Sequence, residues 1–160
     1  MPSHSNTAAF GTFDDRLVAS VVDGGFIVVR APVSMHLALF AHASRRARAR
    51  AHCSIEVAKQ MLGTPVFREV ATQLGLAELP TDPTVCADVV AAEAHTRRAV
   101  LVLPLPDRGT WDFAVASELV KRARPFLVVF VTSDETPGWN EDASGACFDL
   151  APAYAQPIGT

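Results

Sequence analysis

The 160 residues of this chain suit one domain with one hydrophobic core. Hydrophobic residues make up 49% of the sequence, charged residues make up 19%, and the formal net charge is −3. This balance gives no general electrostatic attraction to nucleic acid or to an anionic membrane. The longest apolar stretches, such as Ala99–Leu103 and Phe126–Val131, are too short to cross a bilayer, which argues against a membrane-spanning helix.

The first third of the chain is predicted to contain a helix, a buried strand and a second helix. Residues 1–12 are expected to form a flexible lead-in. Phe13–Val22 carries apolar residues along one side of a helix, which a pair of glycines ends. Phe26–Arg30 is predicted to be the first strand. Ser34 is predicted to cap the next helix, which runs to about Arg50.

The middle of the chain is predicted to add a short strand and two helices. His52–Val57 is interpreted as a second strand. Thr64 is predicted to cap a helix that Pro65 begins and that ends near Leu74. Thr84–His95 is predicted to be the next helix.

Two strongly apolar strands follow, with a helix between them. Arg98–Leu103 and Phe126–Val131 are predicted to be strands, and Trp111–Arg124 is predicted to be a well-buried helix. The unbroken apolar character of both strands predicts that they are neighbours in the centre of a sheet. Residues 137–160 are expected to form an irregular tail.

The order of these elements predicts the fold class. Strands that alternate with helices indicate a parallel sheet with right-handed crossovers. Strands that are apolar throughout indicate that helices cover both faces of the sheet. We therefore expect an α/β domain over residues 13–136, a three-layer sandwich around a mainly parallel sheet of about four strands.

The cysteines give no sign of disulfides or of a metal site. Cys53, Cys86 and Cys147 are odd in number, lie far apart and form no CxxC pair. The first residues (MPSHSNTAAFGTFDD) lack the charged start and apolar run of a signal peptide. These features predict a cytoplasmic protein with reduced thiols and without a metal or another cofactor.

The segment from Gly24 to Ala38 has the shape of a phosphate-binding loop without its chemistry. A working loop needs glycines whose N–H groups surround phosphate, a lysine, and a Ser or Thr for magnesium. When Ala31 is aligned with the first glycine, His36 takes the last glycine position, Leu37 the lysine position and Ala38 the magnesium position. The residues of this vestigial loop are Ala31, Pro32, Ser34, His36 and Leu37.

Four segments, in order along the chain, resemble the nucleotide-binding core of the STAND-type signalling NTPases, a family that includes the NB-ARC domains. Asp23–Pro32 resembles the Walker A strand and loop, and Phe67–Leu76 resembles a helix that ends in "ALGL" in that family. Arg97–Pro104 resembles the Walker B strand, and Leu127–Glu135 resembles the sensor strand. The resemblance implies a P-loop NTPase-like fold and a role in signalling.

The departures from the family fall on its catalytic residues. Pro104 stands where the family has the Walker B aspartate, and Asp134 stands where it has the sensor arginine. The resemblance therefore implies a pseudo-NTPase that is not an enzyme and acts through protein–protein contacts, as an adaptor, regulator or self-assembling scaffold. Its partner would be another protein or a second copy of itself, and the apolar composition also favours an interface. A retained structural nucleotide remains an alternative, since helix N-termini attract anions.

A different interpretation uses the polar residues expected where strands end. Asp107, Asp112, Asp134, Glu135 and His36 would lie at the carboxyl ends of the strands, where open α/β sheets bind ligands. They could hold a metal or serve in acid–base chemistry, although Asp107 and Asp112 also suit the start of a helix. The alternative function is thus a small-ligand-binding or enzymatic domain that uses Asp107, Asp134 and His36.

The remaining chemically notable residues have simpler interpretations. Arg45, Arg46, Arg48 and Arg50 spread around a helix and are expected to form a solvated helix end. Ser34, Ser117 and Cys147 lack the surroundings of a catalytic nucleophile. Trp111 and Trp139 are expected in the core or at an interface.

Overall fold

In a computed structural model, the chain forms one parallel sheet with helices on both faces. The structure describes residues 2–50, 54–57, 65–123, 126–134, 137–139 and 145–150. The helices are α1 (Pro2–Asp23), α2 (His36–Ala49), α3 (Val66–Gln73), α4 (Pro83–Arg97) and α5 (Trp111–Val120). The strands are β1 (Gly25–Arg30), β2 (Ser54–Glu56), β3 (Val100–Pro104), β4 (Leu127–Thr132) and β5 (Gly145–Asp149).

The sheet has five strands in the order β2-β3-β4-β1-β5, and every pair of neighbours is parallel. The predicted pairing of the two most apolar strands is confirmed, because Val102 of β3 lies opposite Val129 of β4. The predicted count of about four strands is one too low. The additional strand is β5, which lies within the segment expected to be irregular.

Two apolar layers cover the sheet and confirm the α/β architecture. On the first face, α1 and α2 bury Phe13, Leu17 and Phe40 against residues such as Ile27 of β1. On the second face, α3, α4 and α5 bury a larger cluster. The cluster on that second face includes Phe67, Val90, Leu119, Phe26 and Phe130. Successive strand residues point to opposite faces, so each strand serves both clusters.

The N-terminal segment differs from its prediction. Residues 2–12 belong to α1, which continues without a break to Asp23, rather than to a lead-in without regular structure. The predicted bounds of the helix missed this segment because it carries few apolar residues at helical spacing. None of the described helices is long and apolar enough to cross a membrane.

The start of α2 also differs from its prediction. The chain makes a 3-10 turn at Val33–Met35, and α2 begins only at His36. The side chain of Ser34 is therefore not a cap, and no side chain caps this helix. The predicted cap Thr64, at the start of α3, lies outside the described residues.

The connections between strands diverge at one place in the sheet. From β1 the chain passes to α2 on the first face, whereas after β4 it reaches Trp139, which packs against the cluster of the second face. Since β1 and β4 are neighbours, their carboxyl ends form the switch point at which open α/β sheets bind ligands.

Candidate functional site

The vestigial loop lies at this switch point and begins as an extension of β1. The N–H group of Ala31 donates to the carbonyl oxygen of Thr132 at 2.8 Å, which continues the β1–β4 pairing by one residue. Ala31 is buried, with 2% of its surface exposed. Its N–H group is therefore not available to a phosphate.

The turn that follows uses its own backbone donors. The N–H of Met35 donates to the carbonyl oxygen of Pro32 at 2.9 Å, and the N–H of His36 donates to that of Val33. Pro32 has no N–H group to offer. A phosphate-binding loop instead turns such donors toward its ligand.

The side chain of His36 closes over the same loop. Its Nε2 atom lies 2.9 Å from the carbonyl oxygen of Ala31. Because a carbonyl oxygen can only accept a hydrogen bond, Nε2 carries the proton in this contact. The side chain of His36 thus bonds to its own loop.

The residues at the lysine position and in the turn are apolar and exposed. Leu37 and Val33 have 69% and 70% of their surfaces exposed. Ser34 and Ala38 are also exposed. The loop consequently presents apolar surface to solvent where a nucleotide-binding loop presents positive charge.

A separate cavity lies at the carboxyl ends of β3 and β4. It has a volume of about 290 Å³, and both Asp107 and Asp134 line it, together with Arg108, Phe113 and Thr132. The guanidinium of Arg108 lies 5.9 Å from the centre of the Phe113 ring. The structure therefore brings together two of the residues of the alternative site. His36, the third, does not line this cavity.

The other two residues of the predicted polar edge do not join the cavity. Asp112 is buried, and its carboxylate accepts the N–H groups of Val66 at 2.7 Å and Phe67 at 3.2 Å. It thereby caps α3 from the first turn of α5. Glu135 lies outside the described residues. Within the described ranges, no group of three or more His, Cys, Asp or Glu side chains could hold a metal ion.

The candidate nucleophiles have structural surroundings. Ser117 accepts a hydrogen bond from the indole of Trp139 at 3.1 Å, which ties the segment after β4 to α5. Burial, and to a lesser degree the charge of Asp112, raises the pKa of the Cys86 thiol to about 11, so this thiol stays protonated at neutral pH. Cys147 is half-buried in β5, and Cys53 lies outside the described residues.

The sequence interpretation missed an ionic cluster between α1 and α2. Asp14 lies 2.6 Å from Nε2 of His42 and accepts two hydrogen bonds from Arg46, at 2.6 and 3.0 Å. The hydrogen bond from Arg46 is the largest cause that lowers the pKa of Asp14. The spacing of His42 and Arg46 places both on one side of α2, but no sequence signal names their partner on α1.

No family model matches this chain, and no curated protein gives a significant match to it. The resemblance to the STAND-type NTPases therefore rests on the four segments named above.

Proposed function

We propose that this protein is a catalytically inactive NTPase-like domain that acts in the cytoplasm through protein–protein contacts, as an adaptor, regulator or self-assembling scaffold. The observation that carries the proposal is that backbone N–H groups of the loop already donate hydrogen bonds within the fold. The N–H groups of Ala31, Met35 and His36 bond within the fold, at the place where the family binds phosphate.

Two further positions support the loss of nucleotide chemistry. Pro104, at the end of β3, cannot ligate magnesium as the Walker B aspartate does. Asp134, just after β4, carries a negative charge where the family has a sensor arginine. Three separate features that would handle nucleotide are therefore altered together.

The exposed apolar side chains support a role in protein contacts. Val33 lies on the loop and Leu37 lies four residues later, in the first turn of α2, and both are mostly exposed. Exposed apolar residues that lie together favour an interface. The partner is a protein or a second copy of the chain, and we propose neither nucleic acid nor a membrane as a partner.

Loss of nucleotide binding is tested by thermal unfolding with millimolar ATP or GTP and magnesium. A bound nucleotide at about a hundredfold excess over its Kd would stabilise the fold by roughly 2.7 kcal/mol. We expect no shift of the melting temperature. A shift of several degrees, or measurable hydrolysis, would reject the proposal.

The contact surface is tested by affinity capture from the native host. We expect the wild-type chain to retain a specific protein that the Val33→Ser/Leu37→Ser variant loses. Val85→Ser is the matched control, because Val85 is also exposed, at 47%, but lies on α4. Equal capture by all three proteins would show that the loop surface is not the interface.

A second candidate function is supported by the cavity that contains Asp107 and Asp134. Two carboxylates that line one cavity with Arg108 and Phe113 could bind a small ligand or take part in acid–base chemistry. A small-molecule screen by thermal shift tests this function. A compound that raises the melting temperature of the wild type should not do so for Asp107→Asn or Asp134→Asn. It should still do so for His36→Ala, since His36 bonds to Ala31 outside the cavity.

A further inference from the structure

The edge of the sheet at which the strands begin carries exposed arginines. Arg50 follows the end of α2, and Arg98 follows the end of α4, two residues before β3 begins. Both are exposed, and neither forms an ion pair within the described part of the chain. The helix dipole explains why a cation lies at each of these helix ends. It does not explain why neither cation has an acidic partner among the described residues.

The opposite edge, at which the strands end, carries two exposed acids and one exposed cation, Arg108, whose guanidinium lies 5.9 Å from the centre of the Phe113 ring. Asp107 follows β3 and Asp134 follows β4, and both are exposed. Val33 and Leu37 follow β1, which is the next strand in the sheet. We call Val33, Leu37, Asp107 and Asp134 the carboxyl-edge surface.

Across the strands, charged and apolar residues follow the same order on the two edges of the sheet. On the amino edge, the charge of Arg98 lies at β3, and the exposed Val22, with 57% of its surface exposed, lies just before β1. On the carboxyl edge, acids lie at β3 and β4, and apolar side chains lie at β1. Strands β3 and β1 are two strand spacings apart, about 10 Å. That spacing separates the strands next to Arg98 and Val22 on one edge and next to Asp107 and Val33 on the other, whereas Asp134 follows β4, one spacing from β1. We call Val22, Arg50 and Arg98 the amino-edge surface.

The two edges also match in which face of the sheet their apolar and charged residues belong to. Val22 lies in the last turn of α1 and Leu37 in the first turn of α2, and these two helices cover the same face. Arg98 follows α4, and Asp107 precedes α5, and both of these helices cover the other face. At β1, Asp23 lies just before the strand, whereas Arg30 at its end is ion-paired with Asp149 at 2.8 Å within the same chain.

We propose that the partner is a second copy of this chain, which docks head to tail so that its amino-edge surface contacts the carboxyl-edge surface of the first. A shift along the strand direction places Val22 on Val33 and Leu37, and places Arg98 near Asp107 and Asp134. The contact uses two different surfaces, so it repeats from copy to copy and forms an open stack or a ring rather than a two-fold dimer. This inference rests on the proposed function, of which it specifies the self-assembling form.

The test is the mass of the purified protein in sedimentation or light scattering, measured over a dilution series. We expect assemblies in about 0.02 M salt, and an association constant at least roughly tenfold lower in about 0.5 M salt, because screening weakens contacts between opposite charges. A chain that is monomeric at every concentration and in both salts overturns the inference.

Charge reversal identifies the two surfaces. The Arg50→Glu/Arg98→Glu variant and the Asp107→Lys/Asp134→Lys variant should each fail to assemble alone. An equal mixture should assemble again, since each reversed surface then meets an opposite charge on the other variant. Asp15→Lys, an exposed substitution within α1, is the control and should assemble as the wild type does. Circular dichroism should show that every variant folds, because all of these positions are exposed.

The outcomes separate this inference from the proposed function. Assembly that neither variant weakens, or a mixture that stays monomeric, overturns head-to-tail docking and leaves a role in other protein contacts intact. Nucleotide hydrolysis, or a nucleotide-dependent rise in melting temperature, overturns the proposed function whatever the state of assembly.

Discussion

At the scale of single residues, Asp112 shows how one side chain can stabilise an element distant in sequence. Its carboxylate accepts both N–H groups at the start of α3, which begins after Pro65 without a cap of its own. These donors would otherwise be buried without partners, since Val66 and Phe67 are 2% and 0% exposed.

We predict that Asp112→Ala lowers the free energy of unfolding by about 1–3 kcal/mol, because it leaves two buried donors unpaired. Asp112→Asn, which keeps one acceptor, should cost less. Urea denaturation measures both. Asp107→Ala is the control, because Asp107 is exposed and five residues away, and its effect should stay within about 0.5 kcal/mol. Equal losses at both positions would contradict the capping role.

A second residue-scale prediction concerns acid. The pKa of Asp14 is lowered from its ordinary value of 3.8, chiefly by the hydrogen bond from Arg46 and also by His42. A carboxyl with a depressed pKa binds its proton more weakly in the folded state, so its stabilising contribution is complete above the ordinary value and is lost as the pH falls through the lowered one. Asp14→Asn should therefore reduce stability at neutral pH.

The same substitution should flatten the fall in stability below about pH 4, since the group that takes up the proton on unfolding is gone. Denaturation at a series of pH values measures this slope. Asp15→Asn is the comparison, because Asp15 is exposed in the same helix turn and lies apart from this cluster. A wild-type acid slope in Asp14→Asn would contradict the assignment.

At the scale of elements, β5 depends on a close approach between two strands. Gly145 pairs with Phe26 of β1, and the ring of Phe26 lies over the position that a Cβ atom of residue 145 would occupy. The fifth strand therefore begins with a residue whose small size the packing requires. The ring of Phe26 in turn packs edge-on against Trp139 at 5.9 Å.

We predict that Gly145→Ala destabilises the fold by about 1–3 kcal/mol, because the added methyl group displaces the ring of Phe26 from its packed position. Gly138→Ala is the matched control, since no atom of the described residues, apart from its chain neighbours, lies within 4 Å of its Cβ position. Thermal unfolding followed by the fluorescence of the tryptophans measures both. Similar melting temperatures for the two variants would argue against this close contact.

At the scale of the whole molecule, the two apolar clusters share one sheet. Residues of β1 and β4 contribute alternately to both faces, so loss of either layer exposes the strands that support the other. The switch point between β1 and β4 lies in the middle of this shared structure.

We therefore predict one cooperative unfolding transition. Phe40→Ala on the first face and Phe67→Ala on the second should each cost about 3–5 kcal/mol, and each should shift the whole transition. Far-ultraviolet dichroism, which follows the helices, and tryptophan fluorescence should give the same midpoint. Separate midpoints in either variant would mean that the layers unfold independently.

The sequence by itself determined the α/β class, the covered sheet faces, the central pairing of β3 and β4, and the absence of glycine and lysine from the vestigial loop. These properties depend on local patterns, such as unbroken apolar strands and the identity of residues at fixed spacing. Only the tertiary structure decided which groups Asp112 and Asp14 bond to. It also decided that Gly145–Asp149 forms a strand, and that His36 lies apart from Asp107 and Asp134. Each of these joins residues far apart in the chain or depends on the path of a loop, and contacts of that kind arise from packing rather than from any pattern within a short segment.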